Sequence, residues 1–367
     1  MYSSDAKLPL VSLCILTFNH EKYVAQAINS CLTQSYKNIE IIIVDNHSQD
    51  GTVSIIRRKY KTELENGKIK LFDLEYNTYP SHGFNYAIRK SQGEYISIFS
   101  GDDTLCINKV ERQIDVMVKE GFSNLFTWVN IINDKEEVIN ADFLENIFNR
   151  DYDNQKIKEH FIHSGNMLSA LSVMLSRDVF EKYGYFDERL VQLQDYDFWL
   201  RIASNDNINL LTERLSNYRL RDDGGNLSLV NHKSRQLRTD FEELYVYRHL
   251  LAFDLKTIEN VVGVLNNDQT VAMALHDYYY SRTQFKLAKG FLLSIYEELG
   301  GRIIFPSSRY NYFFEAYSKS DFFNSDEIDR KNEELIRKLH VYENSRIIKF
   351  TGLIVAWVAN LAGRFRK

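Results

Sequence analysis

The sequence predicts an α/β fold: a mostly parallel central sheet flanked by helices, followed by a mainly helical C-terminal region. Two observations carry this expectation. Short apolar runs, suited to strands buried on both faces, alternate with segments whose apolar residues recur at helical spacing. Near residue 230 the alternation stops, and helical spacing dominates from there.

The elements follow in order. Leu10–Leu16 (LVSLCIL) is a nearly continuous apolar run and reads as the first strand. Glu21–Thr33 places Val24, Ala27, Ile28, Cys31 and Leu32 on one helical face. Ile39–Val44 (IEIIIV) is a second buried strand, Thr52–Tyr60 a short helix and Ile69–Leu74 a third strand. Ser81–Ser91 reads as a helix and Tyr95–Phe99 (YISIF) as a fourth strand. Strands and helices at this spacing imply right-handed crossovers. Residues from about 160 to 220 mix short strands and helices, and the cluster Arg221–Asn226 (RDDGGN) marks a loop. Three regions result. Residues 1–230 form the α/β domain, with halves at about 8–104 and 105–230. Residues 231–345 form a helical region, and 346–367 a terminal helix.

Composition narrows the function classes. The 367 residues are 44% hydrophobic and 26% charged, ordinary globular material able to bury a core. A net charge of -5 lacks the basic excess that a nucleic-acid partner requires. Cys14, Cys31 and Cys106 are odd in number and show no CxxC spacing, which fits a reducing cytoplasm. The N-terminal stretch lacks the basic start and small-residue cleavage site of a signal peptide.

In open α/β sheets, ligands bind beyond the carboxyl ends of the strands. Three polar clusters stand there: Thr17-Phe18-Asn19-His20, Asp45 through Thr52 with Ser48 inside it, and Ser100-Gly101-Asp102-Asp103. Asp45 can accept hydrogen bonds from a base or a sugar. Asp102 and Asp103 offer oxygen ligands to a hard divalent cation. Both readings have plainer counterparts. Asp45 suits a turn, and Asp102 and Asp103 suit a turn or the cap of a helix beginning near Asn108.

These clusters lie in longer blocks: VSLCILTFNHEKYVAQAINSCLTQSYKNIEIIIVDNHSQDGT, GFNYAIRKSQGEYISIFSGDD and GYFDERLVQLQDYDFWLRIA. The blocks, in this order over about residues 8–225, resemble the family 2 glycosyltransferases, which have the Rossmann-like GT-A fold. The resemblance implies an inverting transfer of a sugar from a nucleotide-sugar donor, with UDP-sugars favoured, to a hydroxyl of a glycan or lipid-linked acceptor. It implies that Thr17, Phe18 and Asn19 line the nucleotide pocket and that Asp45 bonds the base. Ser48, Asn85, Ser100, Gly101 and Arg221 join the nucleotide-sugar set. Asp102, with Asp103 beside it, falls at the metal position, for Mn²⁺ or Mg²⁺ at the diphosphate. Asp195 falls at the position of the catalytic base, taking the proton of the acceptor hydroxyl. By family habit, the pathway is cell-surface polysaccharide synthesis, such as O-antigen or capsule.

Three positions depart from the family pattern. Ser100 replaces the first carboxylate of the D-x-D motif. Phe84 stands where many members carry Arg, and Arg221 stands where many carry a metal-binding His. Arg is a poor metal ligand and a good diphosphate partner. These departures weaken the case for a metal, and they motivate a non-catalytic alternative that only binds a sugar nucleotide or a partner.

Further residues carry weaker readings. Asp195 and Asp197 both suit a helix start, where the dipole favours carboxylates; Asp195 is the one matching the base. His163 and Asn166 are acceptor-side candidates. Trp199 is either a stacking surface for sugar or core packing. In the terminal helix, Phe350, Leu353, Ile354, Trp357, Val358, Leu361 and Phe365 recur at helical spacing between basic flanks. The uncharged run is too short to span a bilayer, which needs ~20 apolar residues. It fits an interfacial helix on the inner face of an anionic membrane, or a helix packed on the protein or on a homodimer partner. A dinucleotide-binding dehydrogenase is disfavoured, because TFNHEKY stands where G-x-G-x-x-G belongs.

Overall fold

In the computed structural model, the described residues are 8–226, 233–265, 269–282 and, beyond these, 284, 287, 288, 290, 291 and 294. The expected helix at 346–367, with its membrane or dimer contact, lies outside them.

The first half follows the predicted alternation: β1 (Val11–Thr17), α1 (Val24–Leu32), β2 (Ile39–Asp45), α2 (Thr52–Lys59), α3 (Lys61–Glu65), β3 (Ile69–Asp73), α4 (Tyr79–Lys90) and β4 (Tyr95–Ser100). β1 and β2 are buried at every position, as continuous apolar runs require. α1 turns Val24, Ala27, Ile28 and Cys31 into the core. The next elements are β5 (Thr104–Leu105), α5 (Lys109–Glu120), β6 (Asn124–Ile132), α6 (Asp142–Phe148), α7 (Asn154–Ser164), β7 (Met174–Ser176), α8 (Asp178–Tyr183), α9 (Gln194–Ala203) and β8 (Leu210–Arg219).

One eight-stranded sheet runs in the order β3-β2-β1-β4-β7-β6-β8-β5. β3, β2, β1 and β4 are mutually parallel. β7 runs antiparallel to both β4 and β6, and β5 antiparallel to β8. The sheet is therefore GT-A-like: mostly parallel, with an antiparallel inset. Periodicity made no assignment for β6, which is the second longest strand of the sheet. Polar Thr127 and Asn130 interrupt its apolar run and blur the pattern.

Chain order turns around β1. Its neighbours are β2 on one side and β4 on the other, so a crevice opens between the β1 and β4 ends. Gly83 lets α4 lie close over this point, since a Cβ there would collide with the Leu16 side chain.

By compactness the chain divides into two units. One contains residues up to 242 together with 252–261. It includes most of α10 (Lys233–Val246), the first helix of the expected helical region. The other contains 243–251 and residues from 262 onward. In it, α12 (Val271–Ser281) buries Tyr279, whose ring stacks on Phe291 and meets Tyr247 edge-on. Between them in sequence, α11 covers Leu255–Val262. Among the described residues, no helix is long and apolar enough to cross a membrane.

Candidate active site

Register brings the three polar clusters to one sheet edge. Thr17 pairs with Asp45 across β1 and β2, and Leu16 pairs with Ser100 across β1 and β4. The loops behind the strands are then tied together. Thr17 Oγ1 and Ser48 Oγ each donate to Asp45 Oδ2 at 2.6 Å, and the Ser48 N–H donates to Oδ1 at 2.7 Å. The Asn19 N–H donates to Ser48 Oγ at 2.9 Å, and the Gln49 N–H to Asn19 Oδ1 at 2.8 Å. Asn19 and His47 hold left-handed backbone (φ 54° and 68°), a strained choice for side-chain-bearing residues that functional loops tolerate. Asp45 is fully buried and organises this loop pair. Phe18 beside it is exposed and presents an aromatic ring at the edge.

The β4 end makes a tight turn. The Gly101 N–H donates to Leu16 O at 2.8 Å, and the Asp103 N–H to Ser100 O at 3.1 Å. Only glycine fits at 101: a Cβ would stand 2.6 Å from Thr17 Cγ2 and 3.1 Å from His20 Nδ1.

Asp102 is the charged centre of this turn. Its Oδ2 lies 3.5 Å from Arg221 Nη1 and 3.7 Å from His20 Nε2. Arg221 is also clamped by Asp223 and lies 5.1 Å above the Tyr23 ring. Burial, with Arg221 acting in the same sense, holds His20 below the ordinary imidazole pKa despite the Asp102 carboxylate. His20 Nδ1 is buried without a hydrogen-bond partner among the described residues. The sequence reading did not single out His20; its place directly behind Asn19 was the available signal.

Asp103 does not face the same way. Its Oδ1 accepts the Arg219 N–H at 2.8 Å. Burial, and then the neighbouring Asp102 carboxylate, push its pKa well above the ordinary range. Arg219 is itself fully buried. It braces the turn by donating to Asp102 O (2.7 Å), Asn133 O (2.6 Å) and Gln26 Oε1 (2.8 Å). The protein-supplied donors at the expected metal position are therefore one Asp102 carboxylate and one imidazole, with a guanidinium already against the carboxylate. Among the described residues, no group of three or more His, Cys, Asp or Glu side chains is arranged to hold a metal ion. This set does not fit a metal held by the protein alone.

Asp195 occupies the first turn of α9. Burial pushes its carboxyl up to about 6, against the pull of the Tyr196 N–H (2.7 Å) and the Asn166 side chain (3.2 Å). Asp197, two residues on, is buried and salt-bridged to Arg201 at 2.8 Å. Of the two acids, Asp195 is the one with proton-transfer capacity near neutral pH. Asn166, the weak acceptor-side candidate, lies beside it. His163 is exposed at the end of α7 and contacts Ser164 Oγ at 2.8 Å.

The loop leading to Asp195 is tied to α4. Ser81 Oγ donates to Leu190 O, and His82 contacts Glu188 at 2.9 Å. α4 follows a parallel strand, so its first turn lies at the same sheet edge as the other clusters.

Two expectations are corrected. Asn85 does not offer its amide to a nucleotide sugar. Nδ2 donates to Phe186 O and Glu188 Oε1, both at 2.9 Å, and Oδ1 accepts the Phe186 N–H at 3.0 Å. With those bonds made, the side chain is a clamp on the loop. Trp199 is fully buried, edge-on to Phe126 at 4.8 Å and packed near Phe186 and Phe198. A ring with no accessible face cannot stack on a sugar, so Trp199 is core.

Known proteins bear on this arrangement. Residues 12–184 match the profile of glycosyl transferase family 2. An uncharacterized glycosyltransferase of Rickettsia conorii is 30% identical over 236 residues, 61% of this chain and 36% of its own length. One from Methanocaldococcus jannaschii is 29% identical over 60% of this chain and 74% of its own length. The Escherichia coli UDP-Glc:alpha-D-GlcNAc-diphosphoundecaprenol beta-1,3-glucosyltransferase WfgD is 27% identical over 64% of this chain and 85% of its own length. The crystal structure of S. aureus TarS 1–349 in complex with UDP-GlcNAc superposes with a TM-score of 0.55 at 17% identity, covering 77% of this chain and 80% of that one. At that identity the likeness concerns the fold.

Proposed function

We propose, from the match of residues 12–184 to glycosyl transferase family 2, that the chain transfers a sugar, with inversion, from a UDP-sugar to an acceptor hydroxyl. One observation carries the reading: the Asp195 carboxyl, pushed up to about 6 and steadied by Asn166, at the start of α9. A base with a pKa just below the working pH is mostly ionised, yet still takes a proton readily.

In this reading, Asp195 accepts the proton of the acceptor hydroxyl as that oxygen attacks C1 of the donor sugar. The C1–O bond to the diphosphate breaks, and the nucleoside diphosphate leaves with the bonding pair. Arg221 lies against Asp102 at the crevice and supplies positive charge for the departing diphosphate. No step is assigned to a metal, since the donor set around Asp102 does not suit one. Phe18 and the loop organised by Asp45 form the nucleotide side.

The acceptor is proposed to be a lipid-linked glycan in polysaccharide synthesis at the inner face of the cytoplasmic membrane, because WfgD is named for a diphosphoundecaprenol-linked substrate. The test is UDP release from UDP-glucose or UDP-GlcNAc with GlcNAc-diphosphoundecaprenol as acceptor. Release that disappears in Asp195→Asn supports the proposal, and no release by the wild-type chain overturns it. The Arg221–Asp102 pair also favours a second reading, a binder that holds sugar nucleotides without turnover. It predicts a thermal shift with donor and no UDP release.

A further inference from the structure

Glu242 stands on α10, beyond the residues that match the family. A helix glutamate ordinarily points into water, but this one is 3% exposed. Its carboxylate takes three consecutive backbone N–H groups. Val191 donates to Oε1 at 2.9 Å, and Gln192 and Leu193 donate to Oε2 at 2.8 and 2.9 Å. Successive amides turned to one side form a concavity that binds an anion, and here the protein provides the anion itself. Bonds to an ionised acceptor are the stronger kind.

The place of these amides matters. Leu193 is the N-cap residue of α9, and its side chain makes no capping bond. The start of α9 is thus held from outside, two residues before Asp195. Arg238, one turn earlier on α10, lies 5.4 Å from the Tyr79 ring at the start of α4. One face of α10 therefore contacts both α4 and the loop that delivers Asp195. At this junction Gln192 Nε2 and Gln194 Oε1 are buried with no hydrogen-bond partner among the described residues.

We propose that Glu242 is a positioning residue for the transfer reaction. By gathering the amides of residues 191–193, it sets where α9 begins and where the Asp195 carboxylate stands. The inference rests on reading Asp195 as the base. It also makes α10, outside the family-matched segment, part of what the reaction requires.

The test uses the full chain with Glu242→Gln, Glu242→Asp and Asp195→Asn. UDP release from UDP-glucose and UDP-GlcNAc is followed against pH with GlcNAc-diphosphoundecaprenol as acceptor, alongside hydrogen exchange of the amides at 191–193. Displacing a catalytic group by about 1 Å costs on the order of 100-fold. The expected result for Glu242→Gln is a kcat lowered roughly 10- to 100-fold with donor KM within about twofold of wild type. Faster exchange at 191–193 and a displaced acid limb accompany it, and Glu242→Asp recovers part of kcat. If Glu242→Gln does not fold, the kcat and KM of Glu242→Asp carry the test. Wild-type kcat and pH profile in a folded Glu242 variant, beside an inactive Asp195→Asn, overturn the inference alone. A wild-type chain that releases no UDP, or an active Asp195→Asn, overturns the reading beneath it and the inference with it.

Discussion

The Asn166 side chain donates a 3.2 Å hydrogen bond to Asp195 Oδ2, joining the second residue past the end of α7 to the first turn of α9. The bond favours the ionised carboxylate and opposes the burial that raises its pKa. A residue 29 positions away thereby contributes to the carboxylate's setting, beside the larger effects of burial and of the Tyr196 N–H.

The first prediction concerns pH. In the proposed mechanism the base is ionised Asp195, so kcat/KM is expected to fall on acidification through about 6. Well below that, it drops about tenfold per pH unit. Asn166→Ala removes a donor to the charged form and is expected to move this limb upward, by up to about one unit. A pH–rate profile of both proteins checks it, and coincident acid limbs count against the assignment.

Stability should respond in the opposite sense to activity. The native pKa of Asp195 lies above its ordinary 3.8, at about 6. The native state therefore binds the proton more tightly, and its relative stability declines as pH rises from about 4 to about 6. A neutral asparagine side chain at this position escapes that penalty. Asp195→Asn is expected to raise Tm at pH 8 and to lose the gain by pH 4, read by thermal melts at both pH values.

Arg221 offers a third test. It lies 3.5 Å from Asp102 and is proposed to meet the diphosphate. Arg221→Ala is expected to weaken UDP binding about tenfold or more, whereas Arg221→Lys keeps the charge and part of the affinity. Calorimetric titration with UDP in EDTA buffer measures it. Unchanged affinity in the alanine variant removes Arg221 from the site.

Trp199 is predicted to act through packing. Trp199→Ala is expected to cost about 3–5 kcal/mol of stability, the range for deleting a large buried aromatic. Trp199→Phe is expected to keep acceptor preference unchanged. Denaturant melts and acceptor competition separate the two effects.

The basic-flanked C-terminal segment carries a fifth prediction from sequence alone. Deleting Ile347–Lys367 is expected to move the chain from the membrane fraction to the soluble fraction, since an interfacial helix binds through apolar area and basic charge. Unchanged fractionation refutes the interfacial reading.

Local pattern was enough for β1, β2, β3 and β4 and for α1, α2 and α4, though not for the short α3. Each is a continuous run whose periodicity is written in its own residues, and parallel pairing then brings Thr17, Asp45 and Ser100 to one edge. β6 was not legible, because polar residues interrupt its run and because β7 and β8 pair with it from far along the chain. The motif blocks favoured Asp195 over Asp197, and what they could not show is the surroundings of each: the fold buries Asp197 against Arg201 and leaves Asp195 beside Asn166.

Residue type and spacing determined that this chain builds an α/β sheet with acids beyond its strand ends, since backbone geometry follows from local sequence. Tertiary structure alone decided which of those groups remain available. Asn85 looked open for a ligand in the sequence and Trp199 read as either a stacking surface or core, yet Phe186 and Glu188 take up the Asn85 amide, and Phe126 and Phe186 pack around the Trp199 ring. Hydrogen-bond capacity and accessible surface are consumed by neighbours distant in sequence, and no local pattern records that consumption.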